Sequence, residues 1–306
     1  MTDNAATATP PEEPVWRTAP WGPLVICGVA YGLALIAAWG VIVAWPGGGP
    51  LWGALAADVA ATVVVFAVST VVRNSSVYDP YWSVAPPVLF AYWMSHPYAA
   101  DGDEMRNAIV LVLVVFWAAR LTFNCFRRWR DMRGEDFRYI DLRKKSGKLY
   151  PLMDLFGIQL FPTALVFLAM LPLYPVAASA APFGAIDFVA ALVTLAAINI
   201  EMTADQQLVR FQKTNTDPEK VCDVGLWRWS QHPNYFGEVL FWWGLWLFVL
   251  AAAPSWWWTV VGPLAMTALF VFVSIPWMIR RKRSRRPSYD AQVKGRSVFV
   301  LWPPKS

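Results

Sequence analysis

The run WGPLVICGVAYGLALIAAWGVIVAW, residues 21–45, contains no charged side chain. A helix rises about 1.5 Å per residue, so roughly 20 apolar residues cross a hydrocarbon layer about 30 Å thick. Comparable apolar runs follow at 51–72, 107–126, 152–178 and 184–200, with a shorter, proline-interrupted run at 81–95 and a Trp-rich block at 239–279 broken by Pro254. Water would not tolerate this much exposed apolar helix, because only 15% of the residues are charged against about 25% in a soluble domain. The chain is therefore expected to be an all-α polytopic membrane protein of about eight transmembrane helices, at 21–45, 51–72, 81–95, 107–126, 152–178, 184–203, 235–253 and 255–279.

The connections between those helices alternate in charge. Residues 127–150 carry nine Lys/Arg, residues 204–234 four, and the tail from 280 nine; with Arg17 and Arg73 this side holds 24 of the 26. Arg106 lies on the other side among Asp101, Asp103 and Glu104, and Arg120 lies inside a helix. Positive charge stays in the cytoplasm during insertion, which predicts cytoplasmic termini and cytoplasmic basic loops. An odd number of helices would break the alternation. The net charge of +5 belongs to those loops and suits anionic lipid, whereas nucleic-acid binding would need a folded basic domain, which the chain lacks. Cys27, Cys125 and Cys222 are too far apart for a metal or redox pair, so no disulfide, zinc or other metal site is expected. Residues 1–20, rich in Ala, Thr, Pro and Glu, read as a disordered cytoplasmic tail, and 21–72 as additional N-terminal helices ahead of a main body at 73–306.

Ionisable groups within or beside a membrane helix are costly and point to function. Four clusters stand toward the basic side. In RNSSVYDPYWSV, Asp79 precedes a proline at a helix start, as an N-cap would, but Tyr78 and Tyr81 enrich the cluster beyond a cap. In FWAARLTFNCFRRWR, Arg120 and Asn124 share a helical face and Arg127, Arg128 and Arg130 follow; snorkelling, lipid phosphate or a multiply charged anion would each account for them. In NIEMTADQQLVRFQK, Glu201 and Asp205 share a face, with Lys213 about two turns beyond. Two carboxylates four residues apart repel, so something must compensate: a bound ribose, an adenine amine or an arginine would do, and an extension of the helix into water is the alternative. In SQHPNYFGEVLFWW, His232 and Pro233 begin a helix on which Asn234, Glu238 and Trp242 align. Tyr235 and Gly237 complete a first turn whose free N–H groups attract phosphate.

Together with DPYWSV, MRGEDFRYIDLRKKSG and EMTADQQLVRFQK, the stretch GLWRWSQHPNYFGEVLFWWGLWLF resembles the bacterial DUF1295 branch of the steroid 5-alpha-reductase-like membrane proteins. The resemblance covers roughly residues 75–304 and is most specific in HPNYFGE; residues 1–70 match poorly. It implies a helical reductase of the bacterial cytoplasmic membrane that holds NADPH in a cavity open to the cytoplasm. Such an enzyme reduces a carbon–carbon double bond conjugated to a carbonyl in an apolar, membrane-dissolved substrate. By resemblance, Asn234 and Trp242 line the cofactor cavity together with His232, Tyr235 and Glu238. Asp205 and Glu201 stand on the preceding helix, Arg120, Asn124, Arg127 and Arg130 clamp cofactor charge, and Tyr289 and Arg296 are C-terminal contacts. Asp79 takes the place of the family's catalytic acid. The catalytic tyrosine's place, three residues before Arg120, holds Trp117, which leaves Tyr78 or Tyr81 to substitute.

HPNYFG is also similar to an element of isoprenylcysteine carboxyl methyltransferases and phospholipid methyltransferases that binds S-adenosylmethionine, with Gln231 where those proteins carry arginine. Adenosylmethionine has no phosphates, so the arginine rows favour NADPH. A non-catalytic carrier or scaffold would explain the helices and leave the clustered acids idle.

Overall fold

A computed structural model describes residues 13–304. The helices are α1 (Val15–Thr18), α2 (Gly22–Ala44), α3 (Gly49–Val72), α4 (Tyr81–Ser95), α5 (Glu104–Arg128), α6 (Phe137–Ser146) and α7 (Tyr150–Met153). After a π-helical segment at Asp154–Leu160 come α8 (Phe161–Met170), α9 (Leu173–Ala178), α10 (Ala185–Thr214), α11 (Pro233–Ala252) and α12 (Val261–Ala268). A second π segment at Leu269–Ser274 leads into α13 (Ile275–Arg285) and α14 (Tyr289–Gln292). Among the described residues the only extended pairing is one bridge between Ser230 and Ser297.

Among the described residues seven helices are long and apolar enough to cross a membrane. The eighth expected crossing, α4, has 15 residues and two internal prolines, about 22 Å of helix, shorter than the hydrocarbon layer. The expected span at 152–178 is preceded by further helical turns from residue 137, broken at Gly147 (φ 51°), and the last block continues as helix to Arg285. Of the tail expected at 1–20, residues 1–12 lie outside the described residues. Residues 15–18 form a helical turn, and the Arg17 carbonyl accepts the Met132 N–H at 3.1 Å.

Two features fix the packing around the centre. Helices α10 and α11 touch backbone to backbone, since a Cβ on Gly237 would lie 2.9 Å from the Ala197 carbonyl oxygen and one on Gly244 2.9 Å from the Thr194 backbone nitrogen. That contact forces the polar face of α10 against the polar face of α11. At the acidic end Arg106 is fully buried; its Nε bonds Asp187 Oδ1 at 2.7 Å and its Nη1 donates to the Ala181 carbonyl at 2.8 Å, pinning α5 to the start of α10. Arg106 is thus an interior tie between helices. The main core gathers Trp93, Trp117, Phe241, Trp242 and Phe248.

Candidate functional site

A cavity of about 1020 Å³ opens at the basic end of the bundle. One wall is polar and belongs to α5, α10 and α11. Glu201 and Asp205 sit on α10 as their spacing requires, and Arg120 of α5 lies between them, 2.6 Å from Glu201 Oε1 and 3.1 Å from Asp205 Oδ2. Asn124, one turn along α5, donates to the same Asp205 oxygen at 3.0 Å. The compensation for the paired carboxylates is therefore an arginine of the chain itself. Glu238 of α11 faces the cavity, and both its oxygens are held, by Trp117 Nε1 and Trp242 Nε1, each at 2.9 Å. Trp242 does not line the cavity: it is fully buried behind Glu238, and Trp117 stacks on Phe241 at 4.6 Å. Among the described residues the network leaves Glu201 Oε2 and Arg120 Nε buried without a hydrogen-bond partner. Asn234 and Tyr235 also line the cavity, and no protein partner bonds the Asn234 amide among the described residues.

The opposite wall is built from segments far apart in sequence. Arg73 ends α3 in the left-handed region (φ 56°), which turns the chain into the single turn Ser75–Tyr78 leading to Asp79. Residues 131–136 are laced onto that turn. The Asn74 amide donates to the carbonyls of Met132 and Gly134, both at 2.9 Å; the Ser75 N–H donates to Glu135 Oε1 at 2.8 Å; the Asp136 N–H donates to Ser76 Oγ at 2.9 Å. Asp136 then caps α6, accepting the Arg138 N–H at 2.8 Å. The first turn of α6 thereby brings Tyr139 onto Asp79, and the tyrosine hydroxyl donates to Asp79 Oδ1. Both residues line the cavity. Burial pushes the Asp79 carboxyl up to about 6, against the pull of the neighbouring Arg138 guanidinium.

The two tyrosines expected beside Asp79 are engaged elsewhere. Tyr81 donates to Asp58 Oδ1 at 2.7 Å on the α3 side, away from the cavity. Tyr78 reaches the cavity wall, but its hydroxyl is bonded to Thr163 Oγ1 at 2.7 Å. Tyr139 lies in a stretch quoted for its resemblance, yet no spacing rule joins it to Asp79 across 60 residues.

The remaining cofactor candidates divide. Arg130 lines the cavity mouth with Arg128 and Arg138. Arg127 turns outward, its Nη2 bonded to Asn124 Oδ1 at 2.9 Å and its guanidinium over Phe123 at 5.6 Å. Lys213 is exposed at the end of α10. Three candidates form a strap under the cavity. Arg296 Nη1 donates to the carbonyls of Cys222 and Trp227 at 2.9 and 3.1 Å, and Tyr289 donates to Gln231 Oε1 at 2.9 Å. His232 Nδ1 faces the Val298 carbonyl at 3.0 Å and its Nε2 faces Lys282 Nζ at 3.2 Å, so Nδ1 carries the proton. Burial, with the Lys282 charge second, pushes the His232 imidazole down to about 3 and keeps it neutral. Among the described residues no group of three metal-ligating side chains converges.

A fission-yeast chain, "Uncharacterized protein C594.04c" of Schizosaccharomyces pombe, is 30% identical over 230 residues, covering 68% of this chain and 67% of its own length. No solved structure matches. The family described as "Protein of unknown function (DUF1295)" matches residues 65–295, which include Asp79, Tyr139, the carboxylates of α10 and the first turn of α11, and this chain belongs to that family.

Proposed function

We propose that the protein reduces a carbon–carbon double bond conjugated to a carbonyl in an apolar, membrane-dissolved substrate, using NADPH and working from the cytoplasmic face. The observation that carries this reading is the hydrogen-bonded pair of Asp79 and Tyr139 on the cavity wall, an acid and a phenol opposite a separate polar wall. The cavity has the size of the larger small-molecule pockets, with room for a substrate head beside a cofactor.

The residues present fit a dinucleotide. The Asn234 amide is free toward the cavity, and Glu201 Oε2 is buried without a partner. Arg128 and Arg130 line the mouth as phosphate-binding cations, a role guanidinium geometry suits. These residues, with Asn124 and Tyr235, would hold NADPH, which when bound supplies the hydride. The protein's own contribution lies at the substrate. With Asp79 protonated, the pair holds two protons: one makes the hydrogen bond inside the pair, and the other points to the substrate carbonyl oxygen. Negative charge that develops on that oxygen as the β carbon is reduced is met by a fixed donor, and the proton it lends to the oxygen returns to the pair when a proton from water is added to the α carbon. Arg120, bonded to both Glu201 and Asp205, keeps the opposite wall rigid.

Melting in detergent tests the reading. A ligand bound only by the folded state at about 100 times its Kd stabilises by about 2.7 kcal/mol. NADPH is expected to raise the melting temperature, and an apolar enone should then be reduced. Stabilisation by S-adenosylmethionine with none by NADPH would transfer the site to methyl transfer.

A further inference from the structure

One side of the cavity is walled by two helices that touch at their ends and part between. Helices α8 and α12 meet backbone to backbone, where a Cβ on Gly262 would lie 2.4 Å from the Leu168 carbonyl oxygen. At the basic rim the same two halves of the bundle meet again: Arg281 lies 3.2 Å over the Phe137 ring, and Trp277 stands edge-on to that ring at 6.5 Å. Between these closures both elements turn π-helical, at Asp154–Leu160 and Leu269–Ser274. Gly157 and Ile158 line the cavity from one π segment, Leu269, Phe270 and Val273 from the other.

The π turns explain how one helix serves two different neighbours. A π segment adds a residue to the turn and re-phases the side chains that follow. Here Gln159 is directed at α3, donating to Ser69 Oγ at 3.0 Å, while Thr163 bonds Thr62 at 2.8 Å. The α3 flank of this helix is stitched shut by polar bonds. The flank toward α12 and α13 presents apolar groups instead, and their outer edge is open: Phe161 is 50% exposed, Phe272 77% and Val273 48%. In a bilayer such side chains face acyl chains.

We propose that the slot between the two π segments admits the hydrocarbon tail of a membrane-dissolved lipid, sideways from the bilayer, to the Asp79–Tyr139 wall. The substrate class that follows is a lipid whose head is no more polar than a ketone. Drawing a charged headgroup along this apolar slot would strip its hydration with no partner to replace it. The inference rests on the reductase reading for the identity of the reacting head; the slot itself does not.

The test uses the full chain in phosphatidylcholine vesicles containing a long-chain fatty ketone with a photoreactive diazirine on its tail. After illumination, mass spectrometry locates the adducts. In the wild type they are expected inside the cavity, on Leu269, Phe270 or Ile158, as well as on the outer Phe272. Gly157→Leu and Val273→Trp both narrow the slot. A Cβ on Gly157 meets only Met153 Cε, at 3.9 Å, so a side chain can begin there without a backbone clash. Together they should lower the interior adducts at least tenfold and leave those on Phe272 unchanged. Should the double variant fail to fold, Val273→Trp alone is read the same way. Undiminished interior labelling in a variant that melts like the wild type would overturn the proposal, as would adducts confined to the α3 flank. Melting with NADPH, run in parallel, separates the two readings. Slot-dependent labelling without NADPH stabilisation keeps the slot and removes the reductase. NADPH stabilisation with labelling indifferent to the slot does the reverse.

Discussion

If the Asp79–Tyr139 pair polarises a substrate carbonyl, the activity must follow the protonation of the pair. Tyr139 already donates to Asp79, so with Asp79 ionised its single proton is committed inside the pair. Only with Asp79 protonated does a second donor exist. Burial holds the Asp79 carboxyl near 6 instead of its ordinary 3.8. The competent fraction is then about one tenth at pH 7 and about one hundredth at pH 8, by the ordinary titration relation. NADPH consumption with an apolar enone in vesicles should therefore lose about tenfold in kcat/KM per pH unit above about 6. Asp79→Asn replaces the titrating group with a donor that is neutral at every pH, so that slope should vanish while NADPH affinity is kept. Tyr139→Phe should cost about 10²–10³ in kcat, the range found when one donor to a developing oxyanion is removed. The same shift predicts a stability effect whose sign is fixed. Asp79 binds its proton more tightly in the folded state, so its contribution is full below about pH 4 and is lost as pH rises through about 6, a change of roughly 3 kcal/mol. Melting of the wild type relative to Asp79→Asn should fall over that window. An alkaline slope that survives in Asp79→Asn would refute the argument, since the titration would then belong to another group.

Asn234→Ala should leave the fold intact, because Pro233 and the apolar run set α11, and should weaken NADPH binding about tenfold to a hundredfold by calorimetry, the loss of about 1–3 kcal/mol of pairing in a desolvated site. Unchanged affinity would reduce that residue to part of a helix cap. Arg106→Met strands the buried Asp187 carboxylate and should lower unfolding stability by about 3–5 kcal/mol without touching the cavity, read by denaturation in detergent. Cysteine labelling at Ser146 and Asp103 should report opposite sides of the membrane, with Ser146 cytoplasmic; labelling of both from one side would undo the assignment of the basic end.

The membrane class, the positions of the long helices and the polar faces of α10 and α11 are all legible in the chain. Each follows from a local period, either a run longer than the hydrocarbon layer or a spacing of four along one helix. The carboxylates at 201 and 205 called for compensation by a ribose, an amine or an arginine, and in the structure it is Arg120. What joins distant segments was not legible. Tyr78 and Tyr81 are the tyrosines adjacent to Asp79 in sequence, yet the turn at 75–78 points their hydroxyls to Thr163 and Asp58. The tyrosine that reaches Asp79 comes from α6, delivered by side-chain bonds from Asn74, Glu135 and Ser76 that no periodicity encodes. Trp117 and Trp242 show the same limit: each reads as lining or replacing a site residue, and packing turns both indole N–H groups onto Glu238. Arg296 and Tyr289 became a strap because the C-terminal segment folds back on residues 222–231. A local repeat determines which face of a helix is polar. Only the packing of helix against helix, and of loop against turn, decides which polar groups meet across that face.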